Sequence, residues 1–149
     1  MPFEKLISQG NIQKHKTSKE ETSDLFRLIE RDLKDAAIDE LSEDRRFTIA
    51  YNAVLQCGTV IMHCLGYRTK GEAHHYITFE FLREALGHKY EDLIDYFDAC
   101  RSKRNRTDYD AAGEISETEV IELLDEAKKF YQFTKNWISQ NYPHYFKAT

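Results

Sequence analysis

Phe47-Thr-Ile-Ala-Tyr-Asn-Ala-Val-Leu-Gln-Cys-Gly-Thr-Val-Ile-Met-His-Cys-Leu65 is the most apolar stretch of the chain. Phe47, Ala50, Tyr51, Val54, Leu55, Cys57, Gly58, Ile61, Met62 and Leu65 recur at helical steps. They cover more of the helix than the single stripe a surface helix shows, so this helix belongs at the centre of a bundle. Ser42 is placed to cap it, with Glu43 and Asp44 in its first turn, and Gly66 suits its C-terminal stop. Gly58 in mid-helix costs about 1 kcal/mol relative to alanine. Close approach of a neighbouring helix would account for it.

On the N-terminal side, Leu25, Leu28, Ile29, Leu33, Ala36, Ala37 and Leu41 form a stripe opposite a charged face, a helix starting near Ser18. Residues 1–17 read as an N-terminal arm with room for a short helical turn. The basic cluster from Lys14 to Lys19 reads as solvated tail. On the C-terminal side, Tyr67 to Gly71 is a connector, and Glu72 to Leu86 is a third helix stopped by Gly87. A fourth runs from Tyr90 to about Asn105, and Arg106 to Glu114 is a loop. Ser116-Glu-Thr-Glu119 fits a reciprocal capping box, with Ile115 and Val120 as its staple. It opens a long fifth helix through Trp137 and Ile138, ended by Asn141-Tyr-Pro143.

The expected architecture is therefore all-α, a bundle of about five helices in one domain over 18–149, behind the arm. With 149 residues the chain can bury a substantial core, and two prolines and six glycines suit helices. A net charge of −5 and a pI near 5.7 exclude a wholly basic nucleic-acid coat. No run has the apolar length of a membrane span, and no signal-peptide pattern opens the sequence. Cys57 and Cys64, seven apart on one helix, stand about 10 Å apart by helical rise, beyond the roughly 7 Å reach of a disulfide. A reducing cytoplasm is the expected setting.

The densest basic patch within the fold is Arg101, Lys103, Arg104 and Arg106, with Asn105, Asp108 and Tyr109 beside it. Leu93, Phe97 and Cys100 make an apolar stripe that runs on into Arg104, with Arg101 one turn beyond Phe97. Complementing the helix dipole explains one or two cations, but not arginines that continue a core-facing stripe. Planar guanidinium groups suit phosphate, so an anion-binding site is expected here. His74 and His75 could reach a substrate from the third helix. Adjacent helical residues diverge by about 100°, and neither His-x-x-x-His nor Cys-x-x-Cys spacing occurs. His63, His74, His75 and Cys64 are accordingly not expected to bind metal, and no cofactor is expected. Cys100 sits toward a helix C-terminus, which disfavours a thiolate, so it reads as a buried structural thiol.

Over about residues 20–140 the chain resembles the HEPN superfamily (higher eukaryote and prokaryote nucleotide-binding domain). The resemblance rests on the order and spacing of Ala50-Tyr-Asn-Ala53, Leu65-Gly-Tyr67, Gly71-Glu-Ala-His-His75, Arg101-x-x-Arg104-Asn105, Asp108-Tyr-Asp110 and the capped helix from Ser116. It implies an up-and-down helical bundle, often a component of toxin–antitoxin or defence systems. Many members are metal-independent endoribonucleases, whose paired motifs line one RNA cleft in a homodimer. A cognate antitoxin or a nucleotidyltransferase is the kind of partner it implies.

Arg104 and Asn105 match the first elements of that family's motif, Arg then often Asn, but Tyr109 stands where active members carry histidine. Tyrosine titrates near 10 and histidine near 6.5, so Tyr109 is a poor base at neutral pH, and Asp108 beside arginines is pushed further from 7. The expected function is RNA or nucleotide binding at Arg101, Lys103, Arg104, Arg106, His74 and His75, with a degenerate ribonuclease site. An active ribonuclease toxin using Arg104 and Asn105 with Tyr109 or Asp108 is the first alternative. A non-catalytic protein-interaction module is the second.

Overall fold

The computed structural model describes residues 3–109 and 114–146, with backbone alone at 106–109. It is an all-helical bundle. In chain order the elements are α1 (Glu4–Ser8), β1 (Ile12–Lys14), α2 (Lys19–Ala36), α3 (Glu43–Cys64), β2 (Tyr67–Thr69), α4 (His74–Leu86), α5 (Glu91–Tyr109) and α6 (Glu117–Asn141). Single 3-10 turns precede α5, at His88–Tyr90, and follow α6, at Pro143–Tyr145. No helix among the described residues is long and apolar enough to cross a membrane.

Helix α3 is the central one, packed against α2, α4, α5 and α6. Ala50, Tyr51, Ala53, Val54, Cys57, Val60 and Ile61 are all buried, on several sides of the helix axis. Ser42 caps it by accepting from the Arg45 amide. Gly58 faces α4: a Cβ there would lie 2.8 Å from Thr78 Cγ2 and 3.0 Å from Leu82 Cδ1. The neighbour that the mid-helix glycine implies is therefore α4. Phe97 of α5 packs between Phe79 of α4 and Phe130 of α6, at ring-centroid distances of 6.5 and 5.2 Å. This aromatic contact fixes where the later turns of α5 lie.

Several sequence expectations need correcting. In α2 the inward face carries Phe26, which packs edge-on against Tyr131 and Phe146, while Leu28 and Ala37 of the expected stripe are exposed. Helix α5 continues to Tyr109 instead of ending near Asn105, and residues 110–113 of the expected loop lie outside the described residues. Lysine and arginine are good helix formers and neither Gly nor Pro interrupts 101–109, so nothing local stops the helix earlier.

The arm and the connector are also more than linkers. β1 and β2 pair antiparallel, Ile12 opposite Thr69 and Lys14 opposite Tyr67. Gly66, at φ 97°, makes the turn from α3 into β2. Phe3, Leu6 and Ile12 bury themselves with Met62, Ile77 and Phe81 in a second, smaller core, where Phe3 stacks on Phe81 at 4.2 Å. Thr17, inside the cluster that reads as solvated tail, is buried. Three-residue strands are too short to display a period of two, which is why the sequence conceals them.

Candidate functional site

Arg101 and Arg104 follow Phe97 by four and seven residues, so the helix that buries Phe97 turns both toward α3 and α4. The Arg101 guanidinium carbon sits 5.5 Å from the ring centroid of Tyr76, at the start of α4. That of Arg104 sits 5.9 Å from the ring of Tyr51 on α3. Such contacts contribute about 0.5–2 kcal/mol each, more as the cation is desolvated. A guanidinium donates in its own plane, the geometry that fits phosphate or carboxylate oxygens. Arg101 also donates through Nε to Asp98 Oδ1 at 2.8 Å, one turn back on the same helix.

Beneath the arginines lies a polar pair, the Tyr51 hydroxyl and His75 Nδ1, 3.0 Å apart. Burial raises the Tyr51 phenol above its ordinary range, even with the fields of Arg101 and Arg104 acting against that rise. The phenol therefore keeps its proton. His75 is held below 6.5, first by burial and then by Arg104, His74 and Arg101, so its imidazole is neutral at pH 7. In the tautomer protonated at Nε2, the Tyr51 hydroxyl donates to Nδ1. The face thus combines two cationic forks, a neutral imidazole oriented by a phenol, and Tyr76, an aromatic ring 45% exposed.

The other expected site residues divide. His74 is exposed at the rim, its Nδ1 2.8 Å from Thr69 Oγ1 of β2. Asn105 is exposed beside Arg104, whose Nη1 makes a long 3.5 Å bond to Asn105 Oδ1. Lys103 is drawn elsewhere, into an ion pair with Glu119 of the α6 capping box. It stands between Arg101 and Arg104 in sequence but lies about 100° round the helix from Arg104 and about 160° from Arg101. Arg106, Asp108 and Tyr109 belong to the expected site, but their side chains lie outside the described residues. Cys100 is buried, and that burial pushes its thiol up to about 11, as a structural thiol requires. His63 takes no part here: it lies near the end of α3, against Glu21 and His15.

Tyr51 and Tyr76 escape the sequence reading as site residues. Tyr51 reads as core, which it also is, and nothing in a single sequence says that its hydroxyl meets a residue 24 positions on. Compared with protein-family models, curated proteins and solved structures, the chain matches none.

Proposed function

We propose that the α5–α4 face binds RNA or a nucleotide, with phosphate oxygens taken by Arg101 and Arg104. One observation carries this: the guanidinium groups of Arg101 and Arg104 held against Tyr76 and Tyr51 above His75. The ring contacts of both arginines, and the Asp98 bond of Arg101, pre-order these long side chains and lower the entropy cost of closing on an anion. Exposed Tyr76 adds a platform on which an unpaired base can stack, worth about 1–3 kcal/mol. That favours single-stranded RNA over a bare phosphate. The resemblance to the HEPN superfamily supports the same assignment through Arg104 and Asn105, and implies a second copy completing the cleft.

Binding of single-stranded RNA measured across a salt series tests it. Affinity is expected to fall steeply as salt rises, and Arg101→Ala with Arg104→Ala to weaken binding and flatten that slope. Tyr76→Ala is expected to weaken it by up to about 3 kcal/mol at a single stacked base. Equal binding by wild type and the double arginine variant would remove the nucleic-acid assignment. Sedimentation that finds only monomer at micromolar concentration, with RNA present, would remove the two-chain cleft.

His75 favours a second possibility, metal-independent RNA cleavage. Its neutral imidazole beside Arg104 can accept a proton near pH 7, the capacity Tyr109 lacks. Cleavage in the presence of a chelator, lost in His75→Ala by the ~10²–10⁴-fold typical of general acid–base catalysis and retained in Tyr109→Phe, would establish it. Binding without turnover would leave the site a binding site alone.

A further inference from the structure

Away from the arginine face, the folded-back arm brings a second set of side chains together. His15 follows β1, Glu21 lies in the first turn of α2, and His63 in the last turn of α3. Each is held by its backbone. The His15 amide donates to Gly66 O at 2.9 Å, and Ser18 fixes the first turn of α2 by accepting from the Glu21 amide at 3.1 Å. His63 rides on the central helix.

Glu21 Oε1 is the meeting point. It lies 2.6 Å from His15 Nε2 and 3.1 Å from His63 Nδ1. Thr17, itself buried, donates to the same oxygen at 2.7 Å. One ligating atom from each of His15, Glu21 and His63 falls within 4.8 Å of the others. Zn–N and Zn–O bonds of about 2.0–2.2 Å in a tetrahedron place ligand atoms about 3.3 Å apart. Small side-chain rotations therefore suffice to open room for an ion. His63 Nδ1 adds to this: it is sealed from solvent, and its 3.1 Å approach to Glu21 Oε1 is too poorly aligned to satisfy it fully. Buried polar atoms are rarely left so.

We propose that His15, Glu21 and His63 form a binding site for a divalent transition-metal ion, zinc by preference. Two imidazoles and a carboxylate make a borderline N/N/O donor set that suits zinc better than calcium or magnesium, which take oxygen-rich shells. With three protein ligands, the fourth position falls to solvent, since the Glu21 side chain is 38% exposed. Thr17 orients the carboxylate from the outer shell. Arg68 is the nearby opposing charge acting on His63. It is taken up by Gln13, whose amide oxygen, once the amide is turned to face it, lies 2.6 and 2.8 Å from Arg68 Nε and Nη2. Because the ligands come from the arm and two helices, the ion would clamp the arm to the bundle.

Titrating the full chain with Zn²⁺ against a chromophoric chelator is expected to give one saturable equivalent per chain and a higher melting temperature. Glu21→Gln and His63→Gln are expected to lose more than the roughly 10–100-fold that an outer-shell change costs, with Thr17→Val inside that range. Co²⁺ is expected to bind competitively and to give the intense visible bands of a tetrahedral or five-coordinate site. Failure to saturate at one equivalent overturns the proposal, as does undiminished binding by a folded His15→Gln/His63→Gln double variant. Should that variant not fold, the wild-type imidazole nitrogens decide by NMR. Zn²⁺ shifting His15 and His63 supports the site, and Zn²⁺ shifting only other histidines, or none, overturns it.

Discussion

At the scale of single residues, His75 is where the structure adds most to the sequence. An adjacent His-His pair on a helix says little, because which member points inward depends on the phase of α4. That phase is set by Phe79 and Phe81 in the cores, and it leaves His74 at the rim and His75 against Tyr51. A measurable consequence is the proton affinity of His75. Its folded-state value lies below the ordinary 6.5, so the unfolded chain binds the proton more tightly. The corresponding stability is intact above 6.5 and is lost as pH falls from there toward the folded value. Wild type should therefore lose stability with acid more steeply than His75→Gln, as read by urea midpoints below pH 6.5. Arg104→Gln should move the His75 titration upward in an NMR series without restoring it fully, because burial is the larger cause. A bound phosphate should raise it too. A His75 titration indifferent to Arg104 would show that the two do not share a site.

At the scale of elements, what was legible in the sequence was local chemistry, and what was hidden depended on packing. The Ser116–Glu119 capping box is present as written, both reciprocal bonds included. Ser116→Ala should cost about 1 kcal/mol, and somewhat more where it also frees Glu119, which pairs with Lys103 of α5. Gly58 was legible as a close approach, though not with its partner. Gly58→Ala sets a helix-propensity gain of about 1 kcal/mol against overpacking of about 1–3 kcal/mol. The steric cost should win, because Thr78 is β-branched and stiff, and its hydroxyl is held at 2.7 Å to His74 O. A lower urea midpoint is the expected result. A raised one would mean that α4 yields, and with it the seat of His75. The phase of α2 is legible through Ile29, Leu33 and Ala36, but its edge is not: Phe26 and Leu28 compete for one place, and only the contacts of Phe26 with Tyr131 and Phe146 decide it.

At the scale of the whole molecule, the arm is the decisive case. Composition makes 1–17 look like a tail, since Phe3, Leu6 and Ile12 are too sparse to declare a period. Their partners, Met62, Ile77 and Phe81, lie some fifty or more residues on, and no local signal joins the two. Yet the smaller core is built on the same helices as the larger one. Met62 follows Ile61 on α3, and Ile77 and Phe81 flank Phe79 on α4, so loosening one core shifts helices that serve the other. Ile12, only 3% exposed, is the probe. Ile12→Ala should cost about 2–5 kcal/mol, the range for deleting a buried aliphatic side chain. Because the cores share α3 and α4, that loss should appear in the unfolding midpoint reported by Trp137 on α6, far from the arm in sequence and packed on the larger core. It should coincide with the midpoint from far-ultraviolet circular dichroism. If Trp137 reported no change while β1 amides exchanged faster with solvent, the arm would be a separately docking unit, and the bundle from α2 onward would hold itself together without it.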